Sequence, residues 1–260
     1  MRALKDILAD YRDPDRLAAA LAEPPTEEEY HCSVCGDAHF VRKPIFDIKH
    51  PDFGKAFPCP ACRAPDAEMI AHLGSLAGLP ADTQGRHRFK TFIAKPQLAQ
   101  AFKYAQEFVE GKFKHPFLTF TGQPGTGKTH LAIAVAWGWL EGRRGTVAYW
   151  QVETLLDALR SGYEGRQGEN GCETYAELHF IKHCALLVLD DLGAEKATDW
   201  STAKLDEVID FRYINRLATV VTLNVSPDAV PPRLADRLYE GKVFVLDVPS
   251  FRRRPQRSAR

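Results

Sequence analysis

The chain has 260 residues, 45% apolar and 26% charged, with formal net charge +0. That is enough apolar material for a folded core, and it excludes a disordered, collagen-like or low-complexity chain. The longest strongly apolar run, Leu131–Leu140, is far shorter than the roughly 20 residues of a spanning helix, and the first ten residues have no apolar signal core, so a cytoplasmic protein with no membrane contact is expected.

In chain order, Leu4, Ile7, Leu8, Tyr11, Leu17 and Leu21 predict a helical stretch over 1–22, interrupted at Pro14. A Pro- and Glu-rich punctuation follows at 23–29. Residues 30–65 carry paired cysteines and short β-like runs, and 66–95 read as a connector. A helix is expected at 97–110 and a strand at Phe117–Thr121. A Gly-rich turn leads into an apolar helix, 128–141, on which Trp137 and Trp139 read as core. Next come a strand, Thr146–Gln151, a helical stretch, 153–161, and a loop at 162–171. Further strands are expected at Ala185–Leu189, Ala218–Leu223 and Val243–Val248, with helices between. Strands alternating with helices predict a parallel sheet covered on both faces. Charge divides unevenly: residues 1–80 hold 9 Lys/Arg against 13 Asp/Glu, and the remainder 25 against 21. Arg252, Arg253, Arg254, Arg257 and Arg260 crowd the end, a basic tail able to seek phosphates.

Gly122-Gln123-Pro124-Gly125-Thr126-Gly127-Lys128-Thr129 satisfies G-x-x-x-x-G-K-[ST], between an expected strand and an expected helix. Glycines let backbone N–H groups wrap phosphate oxygens, and the helix N-terminus adds partial positive charge. In such a loop Lys128 reaches the β- and γ-phosphates and the Thr129 hydroxyl ligates Mg2+. Leu186-Leu187-Val188-Leu189-Asp190-Asp191 supplies two acids at a strand end. Asp190 is expected to hold the Mg2+ shell and Asp191 to orient or activate the attacking water. Asn224 ends a third strand, where it can reach the γ-phosphate or that water. Arg233 and Arg237, four apart, share a helix face and suit the charge of phosphoryl transfer, in cis or from a neighbouring subunit.

Cys32-x-x-Cys35 and Cys59-x-x-Cys62 have 23 residues between the pairs, near the spacing of a four-thiolate zinc site. Four thiolates leave no open position, so the expected zinc is structural. His31, His39 and His50 read as surface or packing residues, and Cys172 and Cys184 as isolated.

The ordered set Gly-Gln-Pro-Gly-Thr-Gly-Lys-Thr-His-Leu-Ala, Leu-Leu-Val-Leu-Asp-Asp-Leu-Gly, Phe-Arg-Tyr at 211–213, Thr-Leu-Asn at 222–224, Arg-Leu-Ala-Asp-Arg-Leu at 233–238 and Ser-Phe-Arg at 250–252 resembles the AAA+ ATPases of the DnaC/DnaI helicase-loader and IstB-like family, over about residues 86–252. The resemblance implies an α/β AAA+ (ASCE P-loop NTPase) domain at 81–255, behind a 1–80 partner-binding segment with a small zinc-ribbon-like domain. A basic tail would occupy 253–260. It implies ATP, Mg2+ and Zn2+ as cofactors. Gly122 to His130 would contact the nucleotide, Asn224 would be sensor 1, Arg233 or Arg237 the arginine finger, and Arg252 sensor 2. Asp191 stands where this family commonly has Glu, and Leu223 where a small residue is usual. The implied partners are a DnaB-type replicative helicase, single-stranded DNA met by Arg160, Tyr163 and Arg166 in an insertion helix over 154–180, and further copies of the chain in an ATP-dependent oligomer. The alternatives are an IstB-like ATPase assisting a transposase and a nucleotide-gated adaptor with little hydrolysis.

Overall fold

The computed structural model describes residues 32–35, 40–42, 56–59, 67–164, 170–193 and 198–252. The expected helix over 1–22, Cys62, Arg166 and the tail 253–260 lie outside the described residues. Two three-residue strands, β1 (Phe40–Arg42) and β2 (Ala56–Pro58), pair antiparallel with Val41 opposite Phe57. They account for the β-like runs between the cysteine pairs.

The stretch expected as a connector is built into the core instead. Helix α1 (Ala67–Leu76) and the short helix α2 (Thr83–Arg86) lie within it. Ile70, Ala77 and Leu79 join the same buried cluster as the central sheet. The reason is local shape. Gly74 lets Trp137 pack against α1 so closely that an added Cβ would sit 2.0 Å from the indole. The indole N–H donates to Thr83 Oγ1 (3.1 Å), and the Arg88 guanidinium lies 4.7 Å above the ring. Helix α3 (Ala99–Val109) follows a 3-10 turn, Pro96–Leu98, because Pro suits a first helical turn.

Strand β3 (Phe117–Thr121) leads through the Gly-rich loop into helix α4 (Lys128–Glu141). Nearly every side of α4 is buried, including Leu131 to Trp137, as its all-round apolar sequence requires. Strand β4 (Val147–Gln151) is followed by helices α5 (Val152–Glu164) and α6 (Asn170–His183). Both edges of the expected 162–171 loop are therefore helical, and the expected single insertion helix is two helices; 165–169 lie outside the described residues. Strand β5 (Leu186–Leu192), helix α7 (Asp199–Ile214), strand β6 (Ala218–Leu223), helix α8 (Pro232–Glu240) and strand β7 (Lys242–Val245) complete the order. Strand β5 runs three residues further than expected, carrying both acids within it.

The five strands from β3 on form one parallel sheet in the order β4-β5-β6-β3-β7. Side chains alternate across it. Leu118, Phe120, Tyr149, Leu186, Val188 and Val220 face α1, α3 and α4. Phe117, Ala148, Leu187, Leu189, Val221 and Leu223 face α5 to α8. Strand β6 lies between β3 and β5, so the strand that ends in Asn224 separates the Gly-rich loop from the acids. No helix among the described residues is long and apolar enough to cross a membrane.

One buried charge anchors the second layer. Arg212 on α7 is 0% exposed. Its Nη1 donates to the carbonyls of Ile181 (3.0 Å), Lys182 (3.1 Å) and Cys184 (2.9 Å). Its Nη2 donates to Ala218 O (2.5 Å) and its Nε to Thr219 Oγ1 (2.9 Å). The carbonyls at the end of a helix lack intrahelical partners, and a cation there opposes the helix dipole. Arg212 thus closes α6 and ties it to the start of β6.

Candidate nucleotide-binding site

The loop and both acids meet at the C-terminal ends of the strands, where open parallel sheets place ligands. Gly125 and Gly127 take φ of 83° and 101°, a region that excludes most side chains. The loop is closed over by residues 250–252. Phe251 N–H donates to Gly125 O (2.8 Å), and a Cβ on Gly125 would meet Ser250 Oγ at 2.1 Å. Arg252 is thereby brought to the loop, with its Cγ 3.5 Å from that same Cβ position.

Lys128 is 4% exposed, and its ammonium donates to Gly122 O (2.8 Å) and Gln123 O (3.0 Å). Burial pulls its pKa below the usual lysine range, against the opposing pull of Asp191 and Asp190. Thr129 Oγ1 donates to Asp190 Oδ1 (3.0 Å), so the expected metal-binding hydroxyl and carboxylate touch. Thr222 Oγ1 donates to the same oxygen (2.6 Å), and Tyr149 O–H donates to Asp190 Oδ2 (2.8 Å). Asp190 is 1% exposed. Burial pushes its carboxyl above the usual carboxylate range, and the hydrogen bonds from Thr222, Tyr149 and Thr129 only partly oppose this. Among the described residues it has no Lys or Arg ion pair. A buried carboxylate beside a hydroxyl, with no cationic partner of its own, fits a hard divalent cation with oxygen ligands.

Asp191 stands in a β-bulge between Leu189 and Leu192, at φ 58°. Such a bulge re-aims a side chain, and Asp tolerates the left-handed region better than most residues. Two neighbours on the β6 side hold it. Its N–H donates to Thr222 Oγ1 (2.9 Å), and Asn224 Nδ2 donates to its Oδ1 (3.0 Å). The expected sensor residue and the expected base are therefore bonded directly.

His130 turns toward the segment before α3. Its Nε2 contacts Arg88 O (3.0 Å), and its ring meets those of Phe92 and His87 at 5.2 and 5.0 Å. Arg233 and Arg237 lie apart from this site on α8. Both pair with Asp210, and Arg237 stacks on Tyr213 at 4.2 Å. Arg237 lines a cavity with His115, Pro116 and Phe117 at the start of β3, the end away from the loop. Arg160 pairs with Asp157 and lies 5.0 Å above the Trp200 ring. Sequence reasoning missed Tyr149 and Thr222, both ordinary strand residues.

The Sγ atoms of Cys32, Cys35 and Cys59 lie within 4.8 Å of one another. Cys32 and Cys59 are 3.7 Å apart, close to the ~3.8 Å edge of a tetrahedron with Zn–S bonds of about 2.3 Å. The donor set and spacing fit a zinc ion. Arg143, just past α4, donates from Nη2 to Cys59 O (3.0 Å).

A parallel sheet of this order, with a Gly-rich loop, a buried strand-end carboxylate and an intervening polar strand end, defines a P-loop ATPase of the AAA+ type. The chain matches the family described as IstB-like ATP binding protein over residues 103–236, and it belongs to that family. It is 29% identical over 144 residues to uncharacterized protein YdaV of Escherichia coli K12, covering 55% of this chain and 54% of that one. It is 24% identical over 143 residues to the replicative helicase loader DnaC of the same organism, covering 55% of each. The chain thus spans about half the length of these curated relatives. A crystal structure of the DnaC helicase loader superposes with a TM-score of 0.53 at 24% identity, over 62% of this chain and 97% of that one.

Proposed function

We propose that this ATPase is a helicase loader. It binds ATP with Mg2+, contacts single-stranded DNA, and delivers a DnaB-type ring helicase. The observation that carries this choice within the family is the thiol cluster of Cys32, Cys35 and Cys59, which lies outside the matched residues 103–236. So short a stretch needs a staple to hold a fold, and in this reading the zinc-held segment is the part that meets the helicase. By the sequence spacing, Cys62, outside the described residues, would supply the fourth thiolate. The likeness to DnaC supports the same partner class.

In this reading the backbone N–H groups of Gly122 to Thr129 cradle the phosphates, and Lys128 exchanges its two carbonyl partners for phosphate oxygens. Thr129 and Asp190 would hold Mg2+, which would supply charge neutralisation when bound. Asp191, aimed by Asn224, takes the proton of the attacking water. Arg252 reads the nucleotide from the chain end, and Arg233 or Arg237 leaves Asp210 to act on a neighbouring copy. Arg160, Tyr163 and Arg166 meet DNA by stacking and phosphate neutralisation.

Two outcomes follow for the isolated protein. Lys128→Ala is expected to weaken ATP binding about 10–100-fold, the loss of a charge-assisted contact, as read by titration with a fluorescent ATP analogue; wild-type affinity would place the nucleotide elsewhere. Protein purified without chelator is expected to carry about one zinc per chain by atomic emission, falling toward zero in Cys35→Ser or Cys59→Ser. Absence of zinc in the wild type would remove the metal-held module.

Light scattering on gel filtration tests the function itself. The full chain and the host's replicative helicase should co-elute with ATP, and a variant lacking residues 1–66, which precede α1, should not. Failure to form a complex under any nucleotide condition, with capture of a transposase instead, would replace the loader by a transposition ATPase.

A further inference from the structure

We infer that Tyr149 is a positioning residue for the divalent cation of the ATPase reaction, holding the far oxygen of Asp190 so that the near one meets the metal. The inference rests on the reading of Thr129 and Asp190 as the metal's ligands.

The two oxygens of Asp190 have different neighbours. Oδ1 faces the loop side and is shared by Thr129 and Thr222, at 3.0 and 2.6 Å. Oδ2 receives the Tyr149 hydroxyl at 2.8 Å. The terminal torsion of Asp is soft and roughly two-fold, so partners must set the carboxylate's rotation. Thr129 cannot do so once its oxygen faces a cation. Thr222 grips only Oδ1. Tyr149 is the group that holds Oδ2.

The fold makes Tyr149 a rigid support. Gln151 opposes Asp190 across the β4–β5 ladder, and Tyr149 is two residues back on the same face. A long side chain spans that diagonal. The ring is 7% exposed and packs in the cluster that contains α4. Strand β4 is an edge strand, yet the Tyr149 N–H is not left open, because it donates to Ala77 O (2.7 Å). Backbone and ring are both fixed, so the hydroxyl arrives at one place. Its chemistry suits the task. A Lys or Arg at this position would cancel the charge that attracts the cation. A neutral O–H orients the carboxylate and leaves its charge intact. Partners of this kind behind metal ligands typically change metal affinity by about 10–100-fold.

Tyr149→Phe keeps the ring and removes the hydroxyl. Mn2+ binding, followed by electron paramagnetic resonance in the presence of a non-hydrolysable ATP analogue, is expected to weaken about tenfold or more. Affinity for the analogue in EDTA should stay within about twofold of wild type, since Lys128 and the loop are untouched. Mn2+ affinity equal to wild type, with analogue binding intact, overturns the inference. A wild-type-like Lys128→Ala control would instead overturn the nucleotide-site reading beneath it. A second measurement avoids the variant altogether. With 3-fluorotyrosine at position 149, the 19F resonance is expected to shift when Mg2+ is added to the analogue complex, as the metal draws electron density from Asp190. An unmoved resonance overturns the inference as well.

Discussion

Asp191→Asn is expected to abolish turnover while sparing nucleotide binding. The backbone at this position sits at φ 58°. Asn enters the left-handed region about as readily as Asp, so the bulge survives the exchange. The Asn oxygen still accepts from Asn224 Nδ2, and the N–H still reaches Thr222 Oγ1. What disappears is a carboxylate able to take a proton. Loss of a general base costs about 10²–10⁴ in rate. Phosphate release should fall by that factor, and affinity for a fluorescent ATP analogue should change less than about twofold. Hydrolysis at the wild-type rate would remove Asp191 from the reaction, and slow turnover insensitive to the exchange, with nucleotide binding intact, would favour an adaptor whose nucleotide acts as a gate. Asp191→Ala would be a poorer test, because Ala at positive φ adds backbone strain of about 1–2 kcal/mol.

Arg212→Met is expected to produce the largest loss of stability of any single change considered. Met fills the volume of the side-chain stem and donates nothing. The carbonyls of Ile181, Lys182, Cys184 and Ala218 then lose a charged donor in a site closed to water. Each buried acceptor left without a donor costs about 1–3 kcal/mol, so a loss of several kcal/mol is expected. In a chain of this size that corresponds to a fall of about 10 °C in melting temperature, measurable by calorimetry. Nucleotide affinity of the folded protein should be unaffected, because Arg212 lies under α6 rather than at the Gly-rich loop. A melting point within about 2 °C of wild type would mean that water or rearranged side chains satisfy those carbonyls.

Much of this site is legible before any coordinates. Lys128, Thr129, Asp190, Asp191 and Asn224 are spread over 97 positions, yet each belongs to a short motif whose spelling reveals it. Strand alternation also tells which face each side chain takes, once register is known. Register itself is the hidden quantity. Tyr149 is an unremarked aromatic in a strand until Gln151 is seen opposite Asp190. Thr222 acquires meaning only because β6 lies between the loop and the acids. Arg212 sits within a recognisable Phe-Arg-Tyr, but its burial contradicts the usual exposure of Arg. It makes sense only when the end of α6 is seen above it. The segment 66–95 reads as a connector in sequence, although it packs into the core. Its partner, Trp137, lies more than 50 positions away. Arg233 and Arg237 share one helix face as their spacing predicts, and both hold Asp210 in the same chain.

The path of the chain beyond β7 has a practical meaning for handling the protein. After Val245 the backbone crosses to the Gly-rich loop, where Phe251 N–H holds Gly125 O. A label attached at Arg252 itself therefore sits beside the Gly-rich loop. Bulk at Arg252 crowds that loop, and a nucleotide affinity measured on such a derivative is expected to report the attachment along with the enzyme. A reporter dye at Arg252 turns that crowding to advantage, since in the proposed reading the nucleotide arrives beside it.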